Sequence, residues 1–197
     1  MPDTLTAPTT APARHTPHRY RFTVEEYHAM AEAGILHEDD RVELIEGQIM
    51  LMFPIGSRHA DCVRRLIRML VLRADSDAVV DAQNPIRLND GTEPQPDLAL
   101  LRPRDDYAEH LPHPEDVFLL IEVADTTLGY DRDVKVPLYA ESGILEVWLI
   151  ALEKDYVEVY REPSADGYGR MKRHRRGDTL TVEALSEVTF SVDEVLG

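Results

Sequence analysis

Asp97, Glu122 and Lys135 are the residues of this chain whose types and settings could do chemistry together. Asp97 lies in Pro96-Asp97-Leu98-Ala99-Leu100-Leu101, and Glu122 lies in Val117-Phe118-Leu119-Leu120-Ile121-Glu122-Val123-Ala124. An ionised carboxylate inside an apolar strand is costly unless it is paired or binds a cation. Two of them at the ends of core strands could hold a hard divalent metal, and oxygen-only ligands favour Mg²⁺ or Mn²⁺ over zinc. The main-chain carbonyl of Val123 could add another oxygen. Such a metal would lower the pKa of a bound water and polarise a phosphoryl oxygen. Lys135, expected on the next helix, could orient the attacking water or neutralise charge growing on a phosphate. Glu43, between Val42 and Leu44, is a third carboxylate of the same kind and could complete the metal site or hold a water. His59, in the first turn of a long helix, is a candidate phosphate ligand or proton shuttle. Gln83 and the pair Tyr130-Asp131 are weaker candidates.

Each of these residues also has a plainer explanation. A strand carboxylate can be salt-bridged or face solvent, His59 can be an exposed first-turn residue, and Asp131 can be a helix cap. Glu46 looks like turn chemistry, Trp148 like core, and Cys62, the only cysteine, like a small buried hydrophobe. The chain carries no Walker loop, GxGxxG, GxSxG or CxxC, which removes the commoner nucleotide-binding, serine-hydrolase and zinc-ribbon readings.

The elements that must position these residues follow from local pattern. Residues 1–18, rich in Pro, Thr and Ala, are expected to form a disordered arm, and residues 19–197 a single domain. Thr23 and Glu26 form a capping box, and Gly34 is placed to end that helix. Residues 41–45 and 48–52 read as strands joined by a turn at Glu46-Gly47. Ser57 looks like the cap of a helix reaching Ala74, with Ala60, Val63, Ile67, Leu70 and Val71 as its apolar stripe. Residues 79–88, 97–102 and 117–124 read as strands, with a polar loop at 103–116. A helix from 131 to 142 follows, stopped by Gly143. Residues 144–152 then read as a strand, with a half-exposed hairpin partner at 156–161, two further short strands and a final apolar turn. The sum is a mixed sheet flanked by helices, with the continuous apolar runs at 117–121 and 147–151 as central strands.

The net charge of −16 opposes binding to long nucleic acid, which draws on a basic footprint. Two local clusters could guide phosphate or simply be solvated: Arg64, Arg65, Arg68 and Arg73, and the run Arg170-Met171-Lys172-Arg173-His174-Arg175-Arg176. No apolar run is long enough to span a bilayer, and the N-terminus lacks the apolar region of a signal peptide. With a single cysteine, this fits a reducing cytoplasm.

Taken in order, Phe22-Thr23-Val24-Glu25-Glu26-Tyr27, Val42-Glu43-Leu44-Ile45-Glu46-Gly47, His59, Pro96-Asp97-Leu98-Ala99, Ile121-Glu122-Val123, Tyr130-Asp131-Arg132-Asp133-Val134-Lys135, Tyr139-Ala140 and Gly143-Ile144-Leu145-Glu146-Val147-Trp148 resemble the Uma2 family, also known as DUF820. The resemblance runs from about residue 20 to the C-terminus. It implies membership of the PD-(D/E)xK nuclease-like superfamily. It also implies a restriction-endonuclease-like α/β (α+β) fold with a mixed central sheet, flanking helices and additional hairpins. The implied activity is metal-dependent cleavage of a nucleic-acid phosphodiester. Asp97 matches the PD acid, Glu122 the ExK acid and Glu43 the upstream acid. The lysine expected at position 124 is Ala, and Lys135 fits a site displaced to the following helix.

The reading is a Mg²⁺- or Mn²⁺-dependent endonuclease acting on DNA. Two alternatives stay open: a catalytically inactive nuclease-fold binding or assembly module, and a hydrolase of small phosphate esters. A homodimer is open too, with the strand at 156–160 and the hairpin after it as the segments that could pair with another copy.

Overall fold

The computed structural model describes residues 18–37 and 39–197. The arm expected over 1–18 lies outside the described residues but for His18. Among the described residues, ten strands form three sheets. β1 (Val42–Ile45) pairs with β2 (Gln48–Leu51), and β9 (Thr179–Val182) with β10 (Leu185–Ser191). The central sheet runs in sequence order: β3 (Val79–Ala82), β4 (Leu98–Leu101), β5 (Val117–Ala124), β6 (Glu146–Ala151), β7 (Tyr156–Ser164) and β8 (Gly167–Arg175). Every pairing in it is antiparallel except β5 with β6. A parallel pair needs a crossover, and the segment between those two strands supplies it. That segment holds α3 (Leu128–Tyr130), a π-helical turn (Asp131–Lys135) and α4 (Val136–Glu141).

The sheet is covered on both faces. One face packs against α2 (Ser57–Ala74), the β9–β10 hairpin and α5 (Val192–Leu196), with Trp148 and Phe190 at its centre. The other packs against α4 through Val136 and Tyr139. Successive strand residues point to opposite faces. Leu119, Ile121 and Val123 therefore face α2, while Leu120 and Ala124 face α4. Glu122 shares the parity of the second set and stands on the α4 side.

The hairpin and its neighbours follow their local signals. α1 (Val24–Glu32) begins with both bonds of the Thr23–Glu26 capping box, and Gly34 takes a left-handed conformation beyond its end. Glu46 and Gly47 both have positive φ, at 47° and 73°, which is the turn that lets two short strands pair with matching twist. Main-chain bonds between Leu44 and Glu93 dock this hairpin on the rest of the molecule.

Other elements depart from expectation. β3 stops at Ala82 rather than running to Leu88, because Gln83 adopts a φ of 56° and Pro85 follows closely. Within 103–116, Pro114–Asp116 forms a 3₁₀ turn. α2 is capped by Gly56, with no side-chain cap bond, rather than by Ser57. Its buried stripe is Cys62, Val63, Leu66, Leu70 and Ala74, and Val71 is exposed. The helix expected from Asp131 starts instead at Leu128. Pro137 cannot donate a backbone bond and its ring crowds the carbonyl four residues back. The wider π turn just before it relieves that crowding, with the Val136 N–H reaching the Asp131 carbonyl. β7 is buried from Tyr156 to Tyr160 rather than half-exposed, since β6 and β8 flank it. The free edges of the central sheet are β3 and β8. The tail carries three strands rather than two, because residues 167–175, including most of the second basic run, form strand β8.

Candidate active site

The antiparallel register pairs Leu98 with Ile121, which sets Asp97 and Glu122, the adjoining residues, at the same end of neighbouring strands. Lys135 arrives from the π turn and Glu43 from the hairpin. Both are buried, as is Glu122. The Lys135 Nζ lies 3.2 Å from Glu43 Oε2 and 3.2 Å from Glu122 Oε1. Asp97 is held from two sides: His59 Nε2 lies 2.9 Å from its Oδ1, and the Val123 N–H donates to its Oδ2 at 2.8 Å. Glu43, His59, Asp97, Glu122, Val123 and Lys135 thus line one cleft of about 190 Å³. His59 is neither freely exposed nor isolated, although its Nδ1 is buried with no partner among the described residues.

Tyr139 and the main chain of Gln95 complete this arrangement. The Tyr139 hydroxyl donates to Glu122 Oε1 at 2.5 Å, and the Gln95 N–H donates to Glu43 Oε2 at 3.2 Å. Tyr139 follows Lys135 by four residues, a spacing that puts two side chains on one helical face, so it was findable from that interval. Gln95 acts through its backbone, which no residue type announces. Tyr130 also lines the cleft, and its hydroxyl lies 3.4 Å from Glu43 Oε1. Asp131 is not a helix cap: it is buried inside the helical segment and accepts a 2.6 Å bond from the Thr127 hydroxyl. Gln83 is exposed and stands outside the cleft lining.

The cleft is acidic. Glu43, Asp97, Glu122, Asp125 and Asp131 face Lys135, Arg41 and His59. Burial holds Glu122 above the ordinary carboxylate range although Lys135 pulls it down. Burial alone would lower Lys135, but Glu122 and Glu43 outweigh it and keep the ammonium charged. The hydrogen bond with Asp97 raises His59 against the opposing effect of burial.

The donor set fits a hard divalent cation. Lys135 and Tyr139 both meet Glu122 at Oε1, Asp97 supplies a second carboxylate in the same cleft, and Val123 lines it as well. No group of three or more His, Cys, Asp or Glu stands ready to enclose a metal among the described residues.

The basic clusters play no part in this lining. Arg65 bonds Asp61 and the Val195 carbonyl, and Arg73 bonds Glu194 and the Thr189 carbonyl. Arg173 pairs with Glu158, Arg170 with Glu162 and Glu183, and Arg176 with Asp155 and Asp193. These cations hold the fold's acidic surface together.

A family model described as "Putative restriction endonuclease" matches residues 24–193, and the chain belongs to that family, Uma2. Among solved structures it is similar to "a putative nuclease belonging to DUF820" from Anabaena variabilis ATCC 29413, with a TM-score of 0.68 and 17% identity over 85% of this chain and 96% of that one. That likeness is one of fold. No curated protein matches the chain. Among the described residues, no helix is long and apolar enough to cross a membrane.

Proposed function

We propose that this chain is a Mg²⁺- or Mn²⁺-dependent endonuclease of the PD-(D/E)xK type that hydrolyses DNA phosphodiester bonds, with residues 19–197 as one domain working in the cytoplasm. The observation that carries the reading is the contact of one buried ammonium, Lys135, with two buried carboxylates beside Asp97. A lysine two residues after Glu122 would continue along β5, where position 124 is a buried Ala. Lys135 reaches the same carboxylate from the opposing helix, which supports its role as the displaced catalytic lysine.

In this reading Asp97, Glu122 and the Val123 carbonyl would hold the metal, which when bound would lower the pKa of a water and offset negative charge on the phosphoryl group. The chain's own groups do the rest. Lys135 stays protonated and neutralises charge growing on the phosphate. Glu43 fixes Lys135 and excludes other rotamers. His59 holds a proton at Nε2 against Asp97, within the cleft, where it can serve the leaving oxygen.

The test is incubation of single- and double-stranded DNA and RNA, and of dinucleotides, with Mg²⁺ or Mn²⁺. DNA cleavage that EDTA abolishes, and that falls about a hundredfold or more in Asp97→Asn and Lys135→Ala, is the expected result. Absence of metal-dependent cleavage, or full activity in either variant, would sink the proposal. Turnover confined to dinucleotides would point to a small-ester hydrolase.

A further inference from the structure

The end of β2 and the loop from it to α2 carry apolar side chains that are open to solvent. Leu51 is 82% exposed and Phe53 56%. With Met52, Pro54 and Ile55 they form one wall of the cleft whose floor holds Glu43, Asp97, Glu122 and Lys135. The Phe53 ring meets Tyr130 nearly edge-on, with centroids 6.4 Å apart and planes at 62°. Tyr130 is in turn fixed by its hydroxyl on Glu43. An aromatic pair, partly open to solvent, therefore stands against an acid–lysine floor. Exposed apolar patches of this kind mark binding surfaces.

We infer that Phe53 and Tyr130 form a stacking site for one unpaired base of the DNA strand being cut. The inference rests on the nuclease reading and names its substrate class. A nucleotide has the same two-sided character as the cleft, with a flat π face and an anionic phosphate. Lys135 and the exposed Arg41 suit the phosphate, and the aromatic wall suits the base. Inside a duplex both faces of a base are already stacked, so a base reaches such a wall only from a single strand or after leaving the helix. The rest of the surface agrees. With a net charge of −16, and with Arg65, Arg73, Arg170, Arg173 and Arg176 of its basic clusters engaged in ion pairs, the chain offers little basic surface to a duplex. Stacking contributes affinity where long-range attraction is missing, and it tolerates any base.

The experiment measures binding of a short fluorescein-labelled oligodeoxynucleotide and of its duplex to the full chain in Mg²⁺, in an Asp97→Asn background that keeps the DNA intact. The single strand should bind more tightly than the duplex, and Phe53→Ala should weaken it about tenfold without affecting the duplex. Phe53→Trp should restore binding, and the new indole should be quenched by the single strand, whereas Trp148 is buried and stays silent. Equal affinity for single strand and duplex, unchanged binding in Phe53→Ala, or an unquenched Phe53→Trp would overturn the inference. So would a self-association that Phe53→Ala abolishes while oligonucleotide binding stays the same, since the rim would then belong to a second copy. The readout needs no cleavage: stacking without any metal-dependent cleavage fails the nuclease reading alone, and cleavage indifferent to Phe53 fails this one alone.

Discussion

Lys135 and Tyr139 stand four residues apart and converge on a single oxygen, Oε1 of Glu122. Two donors on one oxygen fix the carboxylate's orientation at the cleft. Tyr139→Phe removes one of them without changing the packing of the ring. Outer-shell partners of this kind are worth about tenfold to a hundredfold in metal affinity, and stripping a donor from a buried acceptor costs about 1–3 kcal/mol. Mn²⁺ titration calorimetry and urea unfolding should register both losses. Unaltered Mn²⁺ affinity would mean that Tyr139 does not position Glu122.

Lys135→Met leaves Glu43 and Glu122 buried without their shared counter-charge. Breaking a buried ion pair from one side costs about 3–5 kcal/mol, so the variant should unfold at markedly lower urea in EDTA. Adding Mn²⁺ should recover part of the loss, because a divalent cation can replace the ammonium among the carboxylates. No recovery would argue against a metal at this position.

Gly47 tests the hairpin. Its φ is 73°, and a Cβ added there would lie 2.6 Å from Arg21 Cβ. Gly47→Ala should therefore cost more than about 1 kcal/mol and shift the strand that carries Glu43. Denaturant unfolding and cleavage should decline together, whereas lost stability with full activity would show that the site does not depend on hairpin placement.

The acid side of the stability profile should depend on Glu194. The Ser191 N–H, then Arg73, hold its carboxyl down to about 2, against an ordinary 4.5. A carboxylate lowered in the folded state stabilises above its unfolded value and loses that effect as pH falls through its folded value. The gap in unfolding midpoint between wild type and Glu194→Gln should therefore be constant above 4.5, narrow below it and close near 2. A gap independent of pH would remove Glu194 from the acid response.

Much of this fold was legible because the deciding interactions are local. The apolar run at 117–124 became β5 with matching bounds, and the positive-φ pair at 46–47 made its hairpin. Parity along β5 and the order of strands were enough to set Asp97 beside Glu122. What escaped depended on the tertiary structure or on competing local rules. Pro137 inside a helical pattern could have ended the helix or kinked it, and the π turn that accommodates it carries no signal of its own in the residue types. Partners of Arg65, Arg73 and Arg173 come from distant elements, so local pattern left those clusters open between guiding phosphate and simple solvation. Gln95 enters the site through an N–H that every residue but proline has.

The π turn has a consequence in chain length. An α-helix advances about 100° per residue, so one residue more or less re-aims everything on one side of it relative to the other. Val136 and Tyr139 are anchored in the core, and Lys135 travels with them. Deleting a single residue such as Asp133 would tighten the turn to an ordinary helix and swing Thr127, Tyr130 and Asp131 together around the axis, carrying the Tyr130 hydroxyl away from Glu43. The segment works as a spacer whose residue count sets the aim of one half of the cleft against the other, and a frame-preserving deletion there would be felt more sharply than most changes of side chain.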